Sequence, residues 1–264
     1  MDKGFLWFAQ NNAQVDYVEL SIKLAKSIKK YNKQNNICVV TDKKSKFKNK
    51  YVDIVRVLEN DDSAEHEIKW GNEHKAFSVT PFKHTIKLEA DMLWTTNTDW
   101  WWYHIWQHDL VFSVDCFNYR DEIIKKSIYR ELFVRNQLPN IYNGLMYFRK
   151  SAYAQKFFEL AKWITKNWTQ VKKNCLINCH DKYPSTDVVF ALAYRMIDPT
   201  QSKLIDLDWF KFLHHKPAIN SLTGFGDQDQ YLYTNRSEEK FYLGERRVSR
   251  VWHYHRKDLN VRTH

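Results

Sequence analysis

The sequence predicts an α/β fold built on a mostly parallel central sheet. Short apolar runs that read as buried strands alternate with segments whose apolar residues recur at spacings of three and four, the period of a helix. Three of those runs, FAQNN, VVTD and LEAD, end in polar or acidic residues. Ligands of open α/β sheets bind at the carboxyl ends of the strands, so these three ends are expected to converge on one cleft.

The elements follow in order. Residues 4–10, GFLWFAQ, form the first strand, and NNAQVD follows as a polar loop. Tyr17, Leu20, Leu24, Ile28 and Tyr31 form one apolar helical stripe, with Lys23, Lys26, Lys29 and Lys30 largely on the other faces and Asp16 as N-cap. Residues 36–42 and 53–58 are the second and third strands, and a helix is expected over 68–79. TIKLEADM, 85–92, is the fourth strand and 109–115 the fifth. Residues 141–150 form a strand with Asn143 and Gly144 near its start. Phe157, Leu160, Ala161, Ile164 and Trp168 make 153–168 helical. In 183–196 a proline and three cap candidates, Ser185, Thr186 and Asp187, precede another apolar helix. From about residue 200 the chain is aromatic, basic and irregular. No linker divides it, so a single domain over 1–264 is expected.

Composition narrows the function. The N-terminal residues carry no apolar signal region, and no stretch approaches 18 uncharged apolar residues, so a cytoplasmic protein with no membrane span is expected. Cys38, Cys116, Cys175 and Cys179 complete no zinc pattern and read as reduced thiols. The net charge is +10 and uneven: residues 23–50 hold ten Lys and one acid, and 246–264 hold six Arg or Lys and one acid. Such blocks suit a polyanionic partner. The Trp100–Trp102 and Trp106 cluster reads as core and lid packing.

The segment KLEADML, 87–93, carries the chemistry. On a strand, residues two apart share a face, so Glu89 and Asp91 are expected to point the same way. Two like charges at that distance repel unless a cation lies between them or one is protonated. Whether a metal belongs there is the question that the pair raises.

This order of elements resembles the nucleotide-sugar glycosyltransferases of the GT-A fold, and within them family eight, the relatives of glycogenin and the lipopolysaccharide galactosyltransferases. It also resembles DNA-modifying glycosyltransferases of large tailed phages. Four stretches carry the resemblance: FAQNNAQVDYVELSIKLAKSI; KLEADML, in place of the family's Asp-x-Asp strand; YNGLMYF, like its Asn-x-Gly strand; and STDVVFALA, in place of its Asp-Gln-Asp helix start. Together they span roughly residues 4–195. The resemblance implies a UDP-sugar donor, a divalent cation (manganese or magnesium) and transfer to a hydroxyl. It divides the chain into a nucleotide-sugar-binding half, 1–115, and an acceptor-binding half with tail, 116–264.

Residue by residue, it implies that Ala9, Gln10, Asn11 and Tyr17 line the uridine site. It makes Asp91 a metal ligand. Glu89 stands where the family has its first Asp; one methylene longer, it has both metal and ribose open to it. Asn143 and Gly144 match the strand beside the reacting sugar, and Thr186 and Asp187 match the catalytic segment. His253, with His255 and Lys257 behind it, matches the family's late metal-binding histidine; His215 is the alternative third ligand. Lys75 and Lys257 are the expected phosphate clamps.

The chemistry suits these residues. Charge builds on the departing diphosphate, and a carboxylate-held divalent ion neutralises it. Hard cations prefer carboxylate oxygen, and manganese tolerates His. The expected acceptor is double-stranded phage DNA carrying 5-hydroxymethylcytosine, with glucose or arabinose as the transferred sugar. The rivals are a lipopolysaccharide or other surface-glycan acceptor and, in a different class, a non-catalytic nucleic-acid-binding protein.

Overall fold

The computed structural model describes residues 1–64, 66, 69–118, 120–124, 130–215, 232–235, 240–243, 246–254 and 257. Strand β1 (Lys3–Ala9) leads through helix α1 (Tyr17–Tyr31) to β2 (Asn36–Thr41) and β3 (Ile54–Val57). β4 (His84–Leu88) returns to the other side of β1. Later come β6 (Leu110–Val114) and β9 (Ile141–Arg149), followed by helices α5 (Ala152–Lys166), α6 (Trp168–Cys175) and α7 (Thr186–Ile197). The central sheet has the order β3-β2-β1-β4-β9-β6. β1 to β4 are mutually parallel, and β9 runs antiparallel to both β4 and β6.

Both faces of this sheet are covered, so its strands read as continuous apolar runs. Leu6 and Phe8 point to one face, with Cys38, Val40, Met146 and Phe148, under α5 and α7. Phe5, Trp7 and Ala9 point to the other, with Ile37, Val39, Leu145 and Tyr147, under Leu24, Ala25 and Ile28 of α1. Burial of each large side chain contributes about 1.5–3 kcal/mol. The expected caps hold: Asp16 accepts from the Glu19 amide, and Ser185 accepts from the Val188 amide.

Several expected elements differ. The helix over 68–79 is a 3₁₀ helix, Trp70–Lys75, followed by one turn of α2 (Ala76–Val79). Asn72, Glu73 and His74 are all buried, whereas an amphipathic α-helix would expose part of such a run. Thr80, which precedes Pro81, is extended and ends α2. The fourth strand stops at Leu88, and Glu89, Ala90 and Asp91 form a turn into β5 (Met92–Leu93). The helix over 153–168 ends at Lys166, and Asn167 separates it from α6. Helices α3 (Asp99–Ile105) and α4 (Glu131–Arg135) are additional. In α3, Trp101 and Trp102 pack in the core while Trp100 is exposed.

The tail is more regular than expected. β10 (Leu213–His215) and β14 (Trp252–Tyr254) join β5, β7 (Cys116–Phe117) and β8 (Ile123–Ile124) in a second sheet of order β5-β14-β10-β7-β8. β11 (Leu232–Asn235), β12 (Lys240–Leu243) and β13 (Arg246–Val248) form a small antiparallel sheet. No helix among the described residues is long and apolar enough to cross a membrane. The four cysteines are free thiols.

His74 gives this region a pH dependence. Burial, against the pull of Asp62 at 3.3 Å, pushes its imidazole down to about 4 from 6.5. Between those values the unfolded chain binds more protons than the folded one, so stability falls as pH drops from 6.5 towards 4. At ~1.4 kcal/mol per pH unit the loss from this group approaches about 3 kcal/mol. Urea unfolding across that range should show His74→Gln with a shallower acid slope than wild type; identical slopes would refute the assignment.

Candidate active site

A cleft of about 370 Å³ opens at the carboxyl ends of β1 and β4. Gln10, Asn12 and Tyr17 line it from the β1–α1 connection. Glu89, Ala90 and Asp91 line it from the turn after β4, Asn143 and Gly144 from β9, and Ser185, Thr186 and Asp187 from the start of α7. Phe212 and His214 contribute from β10 and the residue before it, His253 from β14, and Lys257 from beyond it. Of the three strand ends expected to converge, those of β1 and β4 line the cleft, whereas the end of β2 stands behind it, with Asp42 accepting from the Gln10 amide at 3.2 Å; the tail supplies a further wall.

The two acids meet through the turn rather than along a strand face. His253 Nε2 lies 3.3 Å from Glu89 Oε2 and 3.2 Å from Asp91 Oδ2. One ligand atom from each of the three residues lies within 4.8 Å of the others. Two carboxylates and one imidazole are a donor set that fits a hard divalent ion with tolerance for nitrogen, as manganese has. Within the protein, Asp91 also takes an ion pair from the Lys257 ammonium. Burial pushes that ammonium down to about 8, against the pull of Glu89.

β9 fits around Glu89. Asn143 Nδ2 donates to Glu89 Oε1 at 3.1 Å. A Cβ on Gly144 would lie 3.1 Å from Glu89 Oε2 and 3.3 Å from the Met92 methyl, a tight fit in which the carboxylate must give by a few tenths of an ångström to admit any larger residue. Asn143 is itself fixed. Its amide N–H donates to Asp187 Oδ1 at 2.7 Å, and Arg130 Nη1 donates to Asp187 Oδ2 at 2.7 Å. Asp187 is therefore occupied in holding β9 to α7, while Thr186 and Ser185 border the cleft beside it.

The uridine-side expectations divide. Tyr17 lines the cleft, and burial, then the Glu89 charge, push its phenol up. Gln10 lines it too, but its amide is engaged by Asp61 at 2.9 Å, Asp42 at 3.2 Å and Asn72 at 2.8 Å. Hydrogen bonds from Asn72, Ser63 and Gln10 outweigh burial and hold the Asp61 carboxyl below its usual range. Ala9 is buried in β1 and Asn11 caps α1 through the Val18 amide at 3.0 Å; neither lines the cleft, whereas Asn12 does.

Two lysine and histidine expectations also change. Lys75 lies outside the cleft lining, because its ammonium is held by Asn72 at 2.9 Å, Asp62 at 3.1 Å and the Asn60 carbonyl. His215 is buried on the far side of β10, packed near Trp252, and is not a cleft residue. Alternation along β10 turns His214 inward instead, in register with His253 and stacked on it at 4.6 Å. His255 lies outside the described residues. The sequence reading missed Glu73, which lines the cleft and pairs with buried Lys87 at 2.5 Å. A lysine inside an apolar strand was the available signal, since a buried charge demands a partner.

The chain matches no protein-family model and no curated protein sequence. Its fold matches solved structures. One is the galactosyltransferase LgtC in complex with donor and acceptor sugar analogues, at 13% identity and a TM-score of 0.51, covering 96% of this chain and 87% of that one. Another is mouse xyloside xylosyltransferase 1 in its apo form, at 11% identity and 0.53, covering 96% and 97%. An active-site mutant of LgtC matches at 12% and 0.51, covering 96% and 87%. Likeness at this identity establishes the fold, which is the GT-A fold of these transferases.

The fit around Glu89 is testable. Gly144→Ala should displace that carboxylate and weaken manganese binding about 10-fold, the scale of lost support around a metal ligand. His253→Ala should weaken it at least as much, and His215→Ala should leave it unchanged. Manganese titration followed by electron paramagnetic resonance reads all three. A response of His215→Ala without one from His253→Ala would reverse the assignment.

Proposed function

We propose that the protein is a divalent-cation-dependent glycosyltransferase that moves a sugar from a UDP-sugar to a hydroxyl acceptor. The observation that carries this reading is the meeting of Glu89, Asp91 and His253 in a cleft at the carboxyl end of a GT-A sheet. The cleft volume falls within the range of small-molecule sites. A bound cation would supply charge neutralisation at the departing diphosphate. Lys257 adds positive charge at the same place, next to Asp91. Tyr17 and Asn12 offer a wall for the nucleoside, and the Gln10 amide stiffens that wall through Asp42, Asp61 and Asn72. Asn143 and Thr186 border the same cleft and are assigned to the transferred hexose or pentose.

The proposed acceptor is double-stranded DNA bearing 5-hydroxymethylcytosine. Lys43, Lys44, Lys46, Lys48 and Lys50 are all exposed on the segment that leaves the carboxyl end of β2, the end at which the cleft opens, and runs back to the start of the parallel strand β3. Lys26 and Lys30 are exposed on α1. Such a basic surface on one flank of the sheet favours a polyanion, and its contribution falls with salt. Reaching the base hydroxyl by flipping the base costs a few kcal/mol. Cleft carboxylates beside a histidine argue against a purely nucleic-acid-binding protein, which has no need of them.

Two experiments decide. UDP with manganese should raise the melting temperature, EDTA should abolish the rise, and Asp91→Asn should remove transfer while leaving the fold intact. Wild-type turnover by Asp91→Asn, or full activity in EDTA, would defeat the metal assignment. Duplexes containing cytosine or 5-hydroxymethylcytosine, incubated with UDP-glucose or UDP-arabinose and digested to nucleosides, should gain sugar mass only when hydroxymethylated. Gain on a lipopolysaccharide-type glycan instead would leave the transferase reading standing and overturn the DNA acceptor.

A further inference from the structure

A buried ion pair lies beneath the cleft and takes no part in the carboxylate–histidine cluster. Lys87 of β4 is fully buried, with Nζ 2.5 Å from Glu73 Oε2 and 3.3 Å from the Asn143 carbonyl. Removing two charges from water costs several kcal/mol per ion, and apolar replacements are often as stable. Stability is therefore a poor reason for the pair to be there. Glu73 reaches the cleft surface, although more than nine-tenths buried. Lys87 holds the carboxylate by its ion pair at Oε2, so Oε1 is the oxygen left over for the cleft. Nearby, Asn143 gives its Nδ2 to Glu89, and its Oδ1 is buried with no partner.

Two neighbouring acceptors thus await donors. A carboxylate paired with a lysine and an amide oxygen can only accept. A diphosphate offers no hydrogen to donate, whereas a sugar offers several hydroxyls. The Asn143 oxygen is buried without a donor, which is unfavourable, so a ligand that supplies hydroxyls there gains over one that does not.

We propose that Glu73, held in place by Lys87, reads a hydroxyl of the transferred sugar and sets the choice of donor sugar. The proposal rests on the nucleotide-sugar reading above. It assigns Lys87 as a positioning residue, acting on both Glu73 and Asn143.

The test compares binding of UDP and UDP-glucose in manganese by calorimetry, with no acceptor present. Glu73→Gln must give its single oxygen to Lys87 and turn its NH₂ toward the sugar. It should keep wild-type affinity for UDP and lose about 10-fold for UDP-glucose, the scale of one charge-assisted hydrogen bond. One of the UDP-deoxyglucose analogues should bind wild type as weakly as UDP-glucose binds the variant, and should not respond to the substitution. If Glu73→Gln does not fold, the double variant Glu73→Leu with Lys87→Met removes both charges and is expected to show the same selective loss. Equal loss for UDP and UDP-glucose, or no loss for either, overturns the sugar-reading role. Failure of the wild type to bind UDP at all defeats the nucleotide-sugar reading itself, which is a separate result.

Discussion

Glu89 and Asp91 are two like charges held across the single residue Ala90, and the site is arranged against their repulsion. His253 lies within 3.3 Å of both. Lys257 pairs with Asp91, and the Asn143 amide donates to Glu89. None of these partners is close in sequence. β9, inserted antiparallel beside β4, delivers Asn143 and Gly144. β14, antiparallel to β5, places His253 opposite Met92. The acids alone would not stay together in an apolar sheet end, so the strands that surround them are as much a part of the site as the acids are.

A second layer fixes the first. Arg130 is buried and stacked between the rings of Phe133 and Tyr142, at 3.5 and 4.0 Å. It donates to Asp187, to Asn140 at 2.7 Å and to the Ile141 carbonyl at 2.5 Å. Asp187 then accepts from the Asn143 amide, while Lys87 donates to the Asn143 carbonyl. Both backbone groups of Asn143 are thus bound by charged side chains. Removing one partner of such a buried pair leaves the other charge uncompensated, which costs about 3–5 kcal/mol. The rigidity that a cleft wall needs comes from these pairs.

The first half of the fold was legible because period and capping agreed. The α1 stripe, the Asp16 cap and the apolar runs of β1 and β2 each point to one element, and the structure places them within a residue or two. The pairing of Glu89, Asp91 and His253 was legible from a motif and a late histidine. What was hidden depends on tertiary contacts. The turn at Ala90 looks like more strand because its residues carry no Gly or Pro to mark it. Lys75 and Glu73 are both charged residues on one short helix, and only the fold shows that Glu73 faces the cleft while Lys75 is bound by Asp62 and Asn72. β10 and β14 are three residues each, too short for alternation to register, and their pairing with one another is long-range. That is why the tail read as irregular and why His215 rather than His214 drew attention.

Charge on this protein works on two length scales. The exposed lysines after β2 are separated from one another by solvent, and at physiological salt a charge is felt over about 8 Å. They attract a polyanion weakly, collectively and in a salt-dependent way. The pairs Lys87–Glu73 and Arg130–Asp187 are buried, where ions screen little. A net charge of +10 therefore coexists with an acidic cleft floor. On the proposed reading, this basic surface governs how often a polyanionic acceptor arrives, and the buried pairs govern the geometry that the donor meets. Salt should then act on the first without deforming the second, because the charges that shape the cleft have exchanged water for one another.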